Sequence, residues 1–320
     1  MERLNVFGLL VILGLGAIGA EAEARPAPRP RDLGTLGGDS SIARDLNNRT
    51  EVVGDSTTAA GETHAFSWAR GRMSDLGTLG GSFSTASGIN QSGQIVGLSS
   101  LAGDAAAHGF LFENGRMIDL GTLVGDFSEA LDINERDQIV GQSNSIPVVW
   151  NRRQIEALDL GGGDNGFATA INNRGQISGG VNFGGTFHAV RWVNGVLEDL
   201  GTLGGATSTA EDINERGQIT GTSDTATGGI HAFLWDNGRM IDLGAVVPDG
   251  ATIGSGLNNA GLVVGSGVVE NGEFHALLFR ARAIIDLGTL PGSPFSAAFA
   301  INERREIVGT SGGRATLWSR

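Results

Sequence analysis

The chain has 320 residues, 40% of them apolar, with 53 Gly, 7 Pro and no Cys, which excludes disulfides, thiolate metal sites and a Cys nucleophile. Its formal charge is −13, it contains no Lys, and no basic stripe interrupts the acid excess. Nucleic acid and anionic membrane surfaces are therefore excluded as expected partners.

Residues 1–24 read as an export signal. Arg3 precedes an apolar, Gly-containing run from Val6 to Ile18 that is too short for a comfortable membrane span. Ala20-Glu21-Ala22-Glu23-Ala24 offers cleavage after Ala22 or Ala24. Residues 25–31 (R-P-A-P-R-P-R) form a stiff spacer, and residues 31–320 form a single repeat domain. The expectation is an exported protein, extracellular or periplasmic, with no stable membrane insertion after signal cleavage.

From there the chain repeats. Asp-Leu-Gly recurs at Asp32, Asp75, Asp119, Asp159, Asp199, Asp242 and Asp286, at intervals of 43, 44, 40, 40, 43 and 44 residues. The copy from Ser82 to Leu123 shows what one interval holds. A strand of small residues runs through Ser84 to Ile89 into the turn Asn90-Gln91-Ser92-Gly93, and Gln94-Ile95-Val96-Gly97 returns. After a loop of variable length comes His108-Gly109-Phe110-Leu111-Phe112, then the hairpin signal Asn114-Gly115, then Arg116 to Leu120. Four antiparallel strands in such an interval match one propeller blade, and no segment carries a helical apolar stripe.

The two ends complement each other. The first copy begins at the D-L-G strand, Arg31 to Leu36, and the last stops after Arg314-Ala315-Thr316-Leu317-Trp318 without one. The expected fold is all-β: a seven-bladed β-propeller of four-stranded antiparallel blades. Its ring closes by pairing of the N-terminal strand with the C-terminal blade, which leaves no open sheet edge.

Residues that resemble site chemistry repeat too regularly to form one site. His64, His108, His188, His231 and His275 occupy one column, and each is expected to hydrogen-bond the Asp of the neighbouring strand. The Asn column (Asn47, Asn90, Asn134, Asn172, Asn214, Asn258 and Asn302) follows from turn geometry. No G-x-S-x-G, H-E-x-x-H or EF-hand loop occurs.

Variation is concentrated in loops. Those between copies, and those between the second and third strands, are expected on one rim, opposite a rim of tight turns. Asp39, Asp126, Asp164 and Asp249 on the variable rim are the candidate binding residues. No cofactor is required by the sequence, and Ca²⁺ held by these oxygens is the one metal they suggest.

The strings D-L-G-T-L-G-G, I-N-x-x-G-Q-I-V-G-x-S and H-A-F-L-W-x-N-G-x-M-x-D-L resemble the HAF-repeat family of extracellular bacterial proteins, from Arg31 to Arg320. The resemblance implies an exported repeat protein and supplies no catalytic residues. The expected function is a secreted, non-enzymatic scaffold, working as a monomer, that recognises a protein or glycan on its loop-bearing rim. The alternative is a propeller-based glycan hydrolase or lyase using carboxylates near the central opening, such as Asp45, Asp132 and Asp212.

Overall fold

The computed structural model describes residues 28–280 and 283–319, and every regular element among them is a β-strand. The signal segment 1–24 and residues 25–27 of the spacer lie outside the described residues. The strands group into antiparallel sets of four, one per repeat. In the second set Gly80–Ile89, Ile95–Leu101, Ala107–Glu113 and Arg116–Asp119 pair in chain order. Asn114 (φ 52°) and Gly115 (φ 74°) close the last hairpin, so Phe112 faces Met117 and Phe110 faces Asp119. One parallel bridge, Thr63 to Phe83, ties the first set to the second.

The last set draws on both ends of the chain. Ser296–Ile301, Ile307–Ser311 and Arg314–Ser319 take Arg29–Asp32 as their fourth strand, with Arg29 opposite Ser319 and Asp32 opposite Thr316. That strand starts two residues ahead of the expected Arg31, so the end of the Pro/Arg spacer is sheet. Pro30 is tolerated there because an outermost strand leaves one row of N–H groups unpaired.

Apolar burial lies between sets rather than within them. Val96 and Leu111 of the second set pack with Ile133, Ile139, Val148 and Trp150 of the third. Val308, Ala315 and Leu317 of the last set pack with Val52, Phe66 and Trp68 of the first. The bulky third-strand column supplies the largest fully buried side chains, Trp150, Trp192 and Trp318 among them. Removing one such indole costs about 3–5 kcal/mol. Each first strand touches the first strands of the sets before and after it, and that of the last set touches that of the first. The first strands thus surround a common axis.

The repeated motif residues have specific structural duties. In D-L-G, an Asp oxygen accepts the N–H of the Gly two residues on, as Asp75 does from Gly77 at 2.7 Å. This happens in all seven copies, and the Gly takes a positive φ, 75° at Gly77. In most sets a Ser or Thr of the first strand then accepts from the preceding set and donates to that Gly. Ser84 Oγ accepts from Ala65 N and donates to Gly77 O. The Gly of I-V-G has a different cause: a Cβ on Gly97 would collide with the Thr85 carbonyl.

One motif reading changes. In the third set the register places Ala157 opposite Val148, where other sets place the D-L-G Asp opposite the third strand. Asp159 therefore sits two residues beyond its expected position. It still bonds Gly161 N at 3.0 Å, but it cannot meet a third-strand partner.

Candidate functional site

The antiparallel order puts the N-x-x-G turns and the N-G hairpins on one face, and the inter-copy and second-to-third-strand loops on the other. Both kinds of loop are tied to the neighbouring strand: Leu79 N donates to Ser99 Oγ, and Ser82 N donates to the Asp104 carboxylate.

On the turn face the Asn column does more than shape turns. Asn47 Oδ1 accepts from Arg49 N and Glu51 N, while its Nδ2 donates to Glu51 and to the carbonyl of Asn90 in the next set. Asn90 donates to Asn134 O, Asn134 to Asn172 O, Asn172 to Asn214 O, Asn214 to Asn258 O and Asn258 to Asn302 O. Asn302 donates to Asn47 O at 3.1 Å. A second circuit runs one residue on. Each backbone N–H from Asn48 to Glu303 donates to a side-chain oxygen at the same position of the next set, and Glu303 N donates to Asn48 Oδ1. Turn geometry alone does not require side chains that reach the next repeat, so this role was not legible from one copy.

The His column behaves as expected from the sequence. His64, His108, His188, His231 and His275 place Nδ1 within 2.8–3.0 Å of Asp75, Asp119, Asp199, Asp242 and Asp286. The two exceptions are informative. Arg314 takes the His place in the last set and contacts Asp32 at 3.2 Å, so the carboxylate keeps a nitrogen partner from the third strand. In the third set Ile146 and Ala157 occupy the two places, so both partners are lost together.

The four candidate rim acids, Asp39, Asp126, Asp164 and Asp249, are all exposed and belong to four different repeats. Asp164 accepts from Gly184 N at 3.2 Å. Among the described residues no group of three or more His, Asp or Glu is placed to hold a metal ion. Asp249 lines a cleft of about 710 Å³ with Thr227, His231, Val246, Val247 and Pro248. This cleft lies at the copy in which Ala245-Val246-Val247 replaces T-L-G.

The axis holds the strongest electrostatics. Asp45, Asp132 and Asp212 precede a buried collar that includes Leu46, Ile133 and Ile213. One oxygen of each Asp accepts the N–H of the following residue, and the other accepts an N–H of the next set, from Ile89, Ile171 and Leu257 respectively. Burial pushes Asp45 up to about 8, helped by the charge of Asp132. Burial also pushes Asp132 up to about 6 and Asp212 up to about 7, with the charge of Asp132 adding to the rise at Asp212. The corresponding residues of the other sets are Gly88, Ala170, Gly256 and Ala300. Each acid is followed by a small residue in the next set, and a Cβ on Gly88 would come within 3.3 Å of an Asp132 carboxylate oxygen.

The residue before this position is a bulge in every set. The register shifts fall at Arg44, Ser87, Leu131, Thr169, Glu211, Ser255 and Phe299. A bulge turns its unpaired residue out of the ladder, and all seven line one cavity of about 470 Å³ on the loop side of the collar. The loops were the expected seat of variation. This bulge column, one base, one acid, three hydroxyls and two apolar residues, varies inside the otherwise repetitive first strand. No turn or spacing signal marks it in the sequence.

Neither a protein-family model nor a curated protein matches the chain. Among solved structures it is similar to the β-propeller domain of the trilobed protease from Pyrococcus furiosus, at 12% identity and a TM-score of 0.57 over 88% of this chain and 94% of that one. The fold is a β-propeller. A puromycin-hydrolyzing peptidase from Mycobacterium tuberculosis is also similar, at 12% identity and a TM-score of 0.56 over 90% of this chain. TolB from Acinetobacter baumannii overlaps at 14% identity and a TM-score of 0.46 over 89% of this chain. The propeller chain spans 52% of that peptidase and 64% of TolB. At such identities the likeness is one of fold. Among the described residues no helix is long and apolar enough to cross a membrane.

Proposed function

We propose that this propeller is a secreted recognition scaffold, of the HAF-repeat type and monomeric, that binds a protein or glycan on its loop-bearing face. In this reading the seven four-stranded sets are blades of a closed ring. The pairing of Arg29–Asp32 with Arg314–Ser319 and the return of the Asn circuit to Asn47 support closure. Export to an extracellular or periplasmic site rests on the signal-like residues 1–24.

The observation that carries the reading is a division of labour. The His, Asp and Asn columns are engaged in repeated structural bonds, while variable residues and the cleft at Asp249 gather on the loop face. Function on a rigid scaffold falls to the part that varies. A glycan array probed with the labelled protein, beside a reducing-sugar assay on the same glycans, tests it. Binding without product, lost in Pro248→Arg with an unchanged melting temperature, is the expected result. Product release would overturn the scaffold reading.

A second reading, a glycan hydrolase or lyase at the axis, draws on the raised carboxyls of Asp45, Asp132 and Asp212. It is the weaker one, because both oxygens of each already accept backbone N–H groups. Product release abolished by Asp132→Ala would establish it.

A further inference from the structure

The bulge-lined cavity has a definite chemical character. Its one basic side chain, Arg44, is already matched by Asp55 at 2.7 Å, and Asp55 also accepts from Thr85 at 3.0 Å. Glu129 accepts from the Gln142 amide at 3.1 Å. Glu211 has no cation against it among the described residues, and its polar neighbour is the Thr209 hydroxyl. Burial raises the Glu211 carboxyl to about 7, so an ionised Glu211 gains from any cation brought beside it. Asp212, one residue further along the same strand, feels the charge of Glu211.

The wall is not purely acidic. Leu131, Ile253 and Phe299 line the same cavity and offer apolar contact. The carboxylates do not converge as metal ligands do. A small inorganic cation therefore fits poorly, whereas a cation on an alkyl stem satisfies both surfaces. The chain contains no Lys, so it carries no side-chain ammonium of its own to fill the place.

We propose that this axial cavity binds a primary alkylammonium group, with Glu211 accepting the ammonium and Leu131, Ile253 and Phe299 covering the stem. Two sources share that chemistry: a free polyamine and the side chain of a lysine on another protein. The proposal is independent of the loop cleft at Asp249.

Isothermal titration of the full chain with 1,5-diaminopentane, with N-acetyl-lysine amide and with calcium chloride tests it. Saturable heat with the diamine alone supports a free polyamine, and heat with the lysine amide supports a protein side chain. Glu211→Gln should weaken whichever amine binds by about tenfold, the scale of one lost charged hydrogen bond. Pro248→Arg should leave amine binding unchanged. Should Glu211→Gln prove unstable, Leu131→Arg, which places a guanidinium in the cavity, should abolish the same heat. No saturable heat with either amine, undiminished binding in both variants, or equal binding of calcium would overturn the proposal.

Discussion

The two faces of the propeller follow opposite rules. On the turn face each repeat presents the same Asn, and its amide reaches a carbonyl of the next repeat, from Asn47 round to Asn302. On the loop face and at the bulge positions the repeats diverge, from Arg44 to Phe299 and from T-L-G-G to Ala245-Val246-Val247-Pro248. Identical residues serve contacts that every neighbour must make. The divergent residues of the loop face and the bulge column are free of that demand.

If the turn face is the structural one, its Asn should cost more to lose than any polar residue of the loop face. Asn134 is buried, accepts from Arg136 N and Gln138 N, and donates to Gln138 and Asn172. Asn134→Ala should destabilise by about 3 kcal/mol in urea unfolding. A loss below about 1 kcal/mol would break the comparison.

The axial carboxyls come next. Asp45, Asp132 and Asp212 stay protonated to higher pH when folded than their ordinary value of 3.8 allows. Between that value and about 8 the folded chain binds more protons than the unfolded one, so stability falls as pH rises. Unfolding free energies at about pH 5 and pH 8 should differ on the order of 2 kcal/mol. Asp45→Ala, which copies the small residue of neighbouring sets, should flatten that slope, and an unchanged slope would contradict the assignment.

The His–Asp pairs are half exposed and should matter less. His108→Ala, away from the cleft at Asp249, should cost about 1 kcal/mol, read as a lower melting temperature with ligand binding retained. An unchanged melt would sink the structural reading. The smallest effect belongs to Arg314→His, which restores the common partner of the D-L-G Asp and should shift stability by less than about 0.5 kcal/mol.

Much of this was legible from period and turn chemistry. The Asn114-Gly115 hairpin fixes which residues of its two strands face each other, so the contact between His108 and Asp119 follows from sequence alone. The third set shows the limit. Asp159 keeps the D-L-G spelling but lies two residues out of register, a slip that only the pairing of Val148 with Ala157 reveals. The rim acids illustrate another limit, since Asp39, Asp126, Asp164 and Asp249 repeat in similar places without meeting.

The sequence by itself determined the repeat unit, its four strands, the face on which loops gather and the complementary ends, because turn and alternation signals act over a few residues. Only the tertiary structure decided what the repeats do to one another. The Asn circuit, the reach of each axial Asp to the next set, and the convergence of seven bulges on one cavity are contacts between positions roughly forty residues apart or more. Such contacts depend on how the strands assemble around the axis, which no local pattern encodes.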